Sequence, residues 1–232
     1  MNVLIASPIQ FMKQIRENLD VIRIMIKKFG FSGLFELLKS DVLFDYRYGV
    51  DTYSAVSREE LFTGERLALQ NRYCPSTFAL IDLAIKEAHA LIGDEIRSCH
   101  LVDYGSGKGK VLIGAVKYGF PLARGIEFTE RLHRIAVRNL EKLGLNSRAE
   151  SIHGDATEFF PSPKDRVLYF FNPFEGVVLD QTLQNIKTIE PEGKRVLVVY
   201  NPVCDDIFCR YFERVAEKVS NPGQARYNVY VG

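Results

Sequence analysis

The sequence predicts an α/β fold: a doubly wound, mostly parallel sheet of seven strands that ends in a C-terminal antiparallel hairpin and is preceded by N-terminal helices. Three observations predict it. Between residues 99 and 200, short apolar runs alternate with segments of helical spacing, the pattern of a parallel sheet with helices on both faces. One of these runs ends in DYGSGKG, a turn with a glycine at every second position, and leads into a helix. The last stretch, CDDIFCRYFERVAEKVS, NPG and ARYNVYVG, reads as a short helix running into a strand, a tight turn and a second strand, which makes the two strands antiparallel.

Taken in order, residues 1 to about 45 read as helical. Ile9, Met12, Ile15, Leu19, Ile22, Met25 and Ile26 recur at three- or four-residue spacing, with Lys13, Arg16, Glu17, Asp20, Arg23 and Lys27 between them. A second short helix, SGLFELLKS, follows Gly30. The amphipathic face of residues 8–28 suits packing on the body of the protein, self-association with a second subunit, or a membrane surface. Residues 45–75 are aromatic and charged with no long periodic segment, and read as a loop-rich cover. STFALIDLAIKEAHALI is a helix with Ser76 or Thr77 near its N-cap. Strands follow at Cys99–Tyr104, Leu122–Phe128, Ala149–His153, Arg166–Phe171 and Arg195–Tyr200, with helices at 109–118, 129–143 and 177–189. CDDIFCRYFERVAEKVS then reads as a short helix running into the first strand of the hairpin. The chain therefore divides into an N-terminal helical and loop cover, 1–75, and a ligand-binding domain, 76–232.

Composition sets the outer bounds. The 232 residues are 47% hydrophobic and 25% charged, ordinary for a globular protein. A net charge of +1 argues against a nucleic-acid partner drawn by bulk charge. Cys74, Cys99, Cys204 and Cys209 form no C-x-x-C pair, so neither a zinc knuckle nor a redox pair is expected, and packed thiols are. No cleavable leader and no uninterrupted apolar span of membrane length is legible, and the expected location is cytoplasmic.

The glycine turn carries the strongest functional signal. Leu101 and Val102 end a buried strand, the glycines permit positive φ and close backbone approach, and Val111, Leu112, Ala115 and Val116 have helical spacing. A strand, a glycine turn and a helix N-terminus together present free N–H groups to a ligand. A phosphate-binding P-loop is excluded, because Gly109 and Val111 stand where Ser or Thr must follow the lysine. A dinucleotide fingerprint is excluded, because Lys110 stands where its third glycine must be. What remains is D-x-G-S-G-x-G with Asp103 two residues before the first glycine, or a glycine-rich turn with no ligand.

This motif, with GIEF, IHGDATEF and LYFFNPFEG at three later strand ends, resembles the class I S-adenosylmethionine (SAM) methyltransferases over residues 60–232. The resemblance implies a Rossmann-like methyltransferase fold with SAM as cofactor, S-adenosylhomocysteine as product, and no metal. It places Asp103, Gly105, Ser106, Gly107 and Gly109 at the methionine end of SAM, and Glu127 on the ribose with Phe128 beside it. Asp155 and Ala156 fall at the adenine, and Tyr73 and Thr77 near the methionine end. Asn172, Pro173 and Phe174 take the place of the catalytic [N/D]-P-P-[Y/F] tetrapeptide of N-methyltransferases, one proline short, with Phe171 and Tyr169 beside them. Asp51 with Tyr46 and Tyr48 is expected in a lid. His153 and the N-cap alternative for Asp155 read as structural.

Methyl transfer from a sulfonium needs alignment and exclusion of water rather than a covalent nucleophile. With no His or Lys beside N-P-F to act as a base, the expected methyl acceptor is nitrogen, a protein lysine or a small amine, more than oxygen. The alternatives are a nicotinamide-dependent oxidoreductase, which the missing third glycine disfavours, and a catalytically inactive SAM-binding regulatory or scaffold protein with its N-terminal helices as partner surface.

Overall fold

The computed structural model describes residues 38–54, 56, 75–220 and 225–232. The amphipathic segment 8–28, Tyr73 and the NPG turn lie outside the described residues. A π-helical turn, Leu38–Val42, runs into helix α1, Leu43–Tyr48. There follow α2 (Phe78–Ile92), β1 (His100–Tyr104), α3 (Lys110–Tyr118), β2 (Leu122–Glu127), α4 (Glu130–Leu143) and β3 (Ala149–His153). The chain continues with β4 (Asp165–Phe171), α5 (Gly176–Thr188), β5 (Val196–Tyr200), α6 (Asp205–Tyr211), β6 (Glu213–Val219) and β7 (Arg226–Val231).

The seven strands lie in the order β3-β2-β1-β4-β5-β7-β6, and β7 alone runs against the others, pairing β5 on one side and β6 on the other. This is the doubly wound sheet with a C-terminal hairpin that the sequence predicted. From β1 the chain winds out through β2 to β3, then returns to β4 on the other side of β1. The crevice at such a switch point, at the carboxyl ends of β1 and β4, is where ligands bind in open α/β sheets.

The middle strands are covered on both faces, so their sequences are apolar runs rather than alternations. On one face α2 and α3 cover Leu101, Val167, Tyr169, Val196, Val198 and Tyr200. On the other α5 and α6 cover Val102, Tyr104, Leu168, Phe170, Leu197 and Val199. Tyr104 stacks on Phe170 with ring centroids 4.7 Å apart, a coplanar pair between neighbouring strands. At the far edge β6 is different, exposed along its length except at the half-buried Ala216, with its register broken between Arg214 and Ala216.

A buried cation joins the amino end of β4 and β5 to the end of α5. Arg195 is 2% exposed. Its Nε donates to the Asp165 carbonyl at 3.0 Å, Nη1 to the Ile186 and Ile189 carbonyls at 2.9 and 2.7 Å, and Nη2 to the Ser162 carbonyl at 3.4 Å. The carbonyls at a helix C-terminus have no partner within the helix and favour a cation. Replacing Arg195 with Leu removes a charged donor from four carbonyls, of which those of Ser162 and Ile186 keep a backbone N–H. It is expected to lower unfolding free energy by about 3 kcal/mol or more in urea denaturation, with Arg195→Lys recovering only part of it.

Candidate functional site

Gly105, Gly107 and Gly109 have φ of 85°, 52° and 80°, a backbone that only glycine adopts without strain. The turn they form is bound to the end of β2. The Gly105 and Ser106 N–H groups donate to the Ile126 carbonyl at 2.9 and 3.0 Å. The Gly107 N–H donates to Glu127 Oε2 at 2.8 Å, and the Thr129 N–H donates to Oε1 at 2.7 Å. The Glu127 carboxylate thus lies buried against the turn, and with the Thr129 side chain as a third donor it keeps room for one more. Burial raises its pKa from the usual carboxylate value, against the pull of the two backbone N–H groups. The close approach needs Gly125, where a Cβ would lie 2.4 Å from Ser106 Cβ. Ser106 Oγ is buried and has no hydrogen-bond partner among the described residues.

Asp103, next to last in β1, is 3% exposed. Burial first, and the neighbouring Glu127 second, push its carboxyl well above the usual range. Among the described residues neither acid forms an ion pair, although His153 draws the Glu127 carboxyl down. The ends of β1 and β2 therefore hold two buried acids with no ion-pair partner among the described residues.

The two lysines of the turn bind the N-terminal segment. Lys108 Nζ donates to Asp51 Oδ1 and Oδ2 at 2.8 and 2.9 Å, and to the Ser54 carbonyl and hydroxyl at 2.9 and 2.5 Å. Lys110 Nζ donates to Asp41 Oδ1 at 2.7 Å and sits 4.8 Å from the centre of the Tyr53 ring. Asp41 also accepts the Phe78 N–H at 3.2 Å, at the start of α2. Asn139 of α4 closes the group: its Nδ2 donates to the Asp51 and Lys108 carbonyls at 2.8 and 3.0 Å, and its Oδ1 accepts the Asp51 N–H at 3.0 Å. Asp45 accepts the Thr52 N–H, the Thr52 hydroxyl and the Tyr53 N–H at 2.7, 2.6 and 2.9 Å. Asp51, expected in a lid with Tyr46 and Tyr48, is the partner of Lys108, while Tyr48 packs on Phe44 at 4.7 Å.

The remaining predicted positions line the carboxyl edge of the sheet. Thr77 is the N-cap of α2 and accepts the Leu80 N–H at 3.3 Å, while its neighbour Ser76 accepts the buried Tyr169 hydroxyl at 2.8 Å. Phe128 follows β2 and is exposed, its carbonyl 3.2 Å from His153 Nε2. Asp155 caps the single 3-10 turn Ala156–Glu158, its Oδ1 accepting the Thr157 N–H and hydroxyl at 2.9 and 2.7 Å. Its Oδ2 has no hydrogen bond among the described residues, so capping does not use up the carboxylate.

Asn172 follows β4 with φ of 48°, and its Oδ1 accepts Asn201 Nδ2 at 2.6 Å. Asn201 stands at the same place after β5 with φ of 51°. Sequence reasoning missed it, although the repeat of Asn-Pro at 201–202 was a legible signal. Phe174 packs through an edge contact on Phe170, 6.5 Å between centroids, whereas Tyr169 and Phe171 belong to the opposite face. The three rings therefore do not line one slot. Cys99 is the packed thiol expected, with its Sγ 3.2 Å from the Glu95 carbonyl, but Cys209 is exposed. Among the described residues no group of His, Cys, Asp or Glu is placed to hold a metal ion, and no helix is long and apolar enough to cross a membrane.

No family model matches the sequence, and no curated protein does. Solved structures do. An RNA methyltransferase from Salinibacter ruber, in complex with S-adenosyl-L-homocysteine, is 19% identical and superposes with a TM-score of 0.50 over 68% of this chain and 91% of its own. A geranyl diphosphate methyltransferase in complex with SAM is 10% identical, with a TM-score of 0.53 over 66% of this chain and 84% of its own. The cyclase SpnF is 15% identical, with a TM-score of 0.52 over 63% of this chain and 62% of its own. The fold is that of the Rossmann-like methyltransferases, and since a cyclase shares it, the fold alone does not fix the reaction.

Two predictions follow from the buried charges. The Lys108 side chain is fully buried, whereas that of Asp51 is 41% exposed. Asp51→Asn takes the carboxylate away from a buried ammonium that keeps its neutral Ser54 acceptors and is expected to cost about 3 kcal/mol, whereas Lys108→Met leaves a carboxylate that water can reach and costs about 1 kcal/mol. Equal losses in chemical denaturation would contradict this account of the pair. Asp45 is raised by burial from 3.8 to about 6, against the opposing pull of Lys110 and Thr52. The folded state therefore binds this proton more tightly than the unfolded state, so Asp45 makes the protein less stable as pH rises between 3.8 and about 6. The stability of wild type relative to Asp45→Asn is expected to fall across that window and to level off above it, as read from thermal melts at a series of pH values.

Proposed function

We propose that this chain is a SAM-dependent methyltransferase acting on an amine nitrogen. The observation that carries the proposal is the glycine turn of three positive-φ residues with the Glu127 carboxylate held against it by Gly107 N–H. The donor set fits the cofactor. Glu127 keeps one lone-pair direction for a ribose hydroxyl beside its Gly107 and Thr129 donors. Asp103 and Glu127, two buried acids with no ion-pair partner among the described residues, suit a ligand that carries an ammonium and a sulfonium. The Ser106 hydroxyl, buried and unpartnered, faces the same need. The neighbours solved with SAM or its product support the same reading through their shared fold.

The methyl group of bound SAM is electrophilic because it is attached to a sulfonium. The protein's part is orientation, which contributes roughly 7–11 kcal/mol in favourable cases. Asp103 and the turn would hold the methionine end, Glu127 the ribose, and Asp155 Oδ2 the adenine amino group. Asn172, at the carboxyl end of β4, would accept an N–H of the amine and aim its lone pair at the methyl. A lysine-like ammonium must first release a proton, which an apolar surround favours by raising the cost of the charge.

Calorimetric titration of SAM and S-adenosylhomocysteine tests the proposal. Wild type is expected to bind both 1:1 at micromolar concentrations. Glu127→Ala, which removes a charge-assisted hydrogen bond to the ribose, is expected to weaken binding by about tenfold or more. Folded wild type that binds neither ligand would overturn the methyltransferase reading.

A further inference from the structure

Asn172 and Asn201 are the two non-glycine residues with positive φ among the described residues. Each is followed by proline, which makes a helical backbone at the preceding residue costlier still. Strain of this kind persists where the surrounding structure enforces it, and it gathers at sites of function. Here the enforcement is visible. Phe171 pairs with Tyr200 at the end of the β4–β5 ladder, the Asn172 N–H donates to the Tyr200 carbonyl at 3.2 Å, and the Asn201 N–H donates to the Arg226 carbonyl at 2.8 Å. The two carboxamides meet side by side, Asn201 Nδ2 on Asn172 Oδ1 at 2.6 Å. Among the described residues Asn201 Oδ1 takes no hydrogen bond, and Asn172 Oδ1 keeps one lone pair. Both side chains are half-buried. The segments leaving the two turns carry exposed apolar residues, Val177 at 85% and Val203 at 66% exposure.

We infer that Asn201 is a second substrate-binding residue: with Asn172 it forms a paired carboxamide that takes both N–H bonds of a primary amine carried on an apolar stem, and so limits transfer to one methyl group per nitrogen. The inference rests on the methyltransferase reading above and deepens it. A primary amine has two N–H bonds, one carbon substituent and one lone pair. With the N–H bonds on Asn172 Oδ1 and Asn201 Oδ1, the lone pair has one direction left, toward the methyl donor. The nitrogen lone pair forms the new N–C bond while the C–S bond breaks and its electron pair stays on sulfur. The methylammonium product releases a proton to water. That product has one N–H fewer. To aim its lone pair again it must set a methyl group against one of the two oxygens, so that Asn201 Oδ1 lacks a donor or Asn172 Oδ1 keeps only that of Asn201 Nδ2. The arrangement thereby discriminates against a secondary amine by one lost hydrogen bond and a methyl group set against a carboxamide oxygen.

The test uses the complex with S-adenosylhomocysteine and two amine probes, n-butylamine and N-methylbutylamine, each titrated at a series of pH values so that affinities are referred to the neutral amine. The side-chain NH2 signals of Asn172 and Asn201 are assigned in proton–nitrogen correlation spectra by their loss in Asn172→Gly and Asn201→Gly. Glycine accepts the positive φ at both positions, so these variants keep the fold. n-Butylamine is expected to move both signals together, and N-methylbutylamine to bind about tenfold more weakly. Asn201→Gly is expected to remove that preference and Asn201→Asp, which keeps an oxygen there, to retain it. The inference is overturned if n-butylamine moves neither signal or only that of Asn172, or if Asn201→Gly keeps the tenfold preference. Failure to bind S-adenosylhomocysteine at all is a different result: it removes the methyltransferase reading, and the inference falls with it.

Discussion

The ligand side of this molecule depends on one constraint: the backbone leaving β1 must turn flat against the end of β2. Three consecutive N–H groups, from Gly105 to Gly107, point at β2 and are received there by the Ile126 carbonyl and the Glu127 carboxylate. A side chain at Gly125 would separate the two layers by occupying the place of Ser106. Once the contact is made, the rest is placed. Glu127 is fixed by main-chain donors rather than by rotamer preference, Asp103 is brought beside it, and the N-terminus of α3 is aimed at the crevice. Charge-assisted bonds to backbone N–H groups are among the stronger polar contacts a protein makes, and here they are sheltered from water.

The same turn also organises the N-terminal segment. Lysines beside glycines invite comparison with phosphate-binding loops, but these two lysines have internal partners. Lys108 reaches Asp51 and Ser54, and Lys110 reaches Asp41. Asp41 in turn caps the start of α2, and Asn139 joins the Lys108 backbone to that of Asp51. The cover and the sheet therefore share one polar seam that runs through the turn. Any ligand that shifts the turn is felt by the cover, through contacts that are charged, short and buried at their lysine ends.

How much of this was legible in the sequence follows from the range of the interactions. Strand ends were read to within one residue because apolar runs and glycine turns are local patterns. The acids at the ends of β1, β2 and β3 were legible for the same reason: each stands at a boundary between an apolar run and a turn. Partnerships across long separations were not. Nothing near Lys108 in the chain points to Asp51, 57 residues away, and the reading of Asp51 as part of a lid followed from its aromatic neighbours alone. Phe174 and Phe171 face opposite sides of the sheet, and the strand period that relates such positions stops between them at Asn172, where φ changes sign. Asn201 had a local signal, the repeated Asn-Pro, whose meaning appears only when β4 and β5 are side by side.

The exposed strand at the sheet's edge has a consequence of its own. An edge strand offers a row of unpaired backbone groups to any other extended chain. On β6 that row is guarded by Glu213, Arg214, Glu217 and Lys218, and the broken register near Arg214 bends the edge out of line. Val215 and Val219 stand exposed within the same strand, so without the charges it would read as a short sticky ribbon. The charges make it a poor template for strand addition, and the sheet stops growing there. The hairpin that reverses the chain at β7 thus also acts as a stop against aggregation.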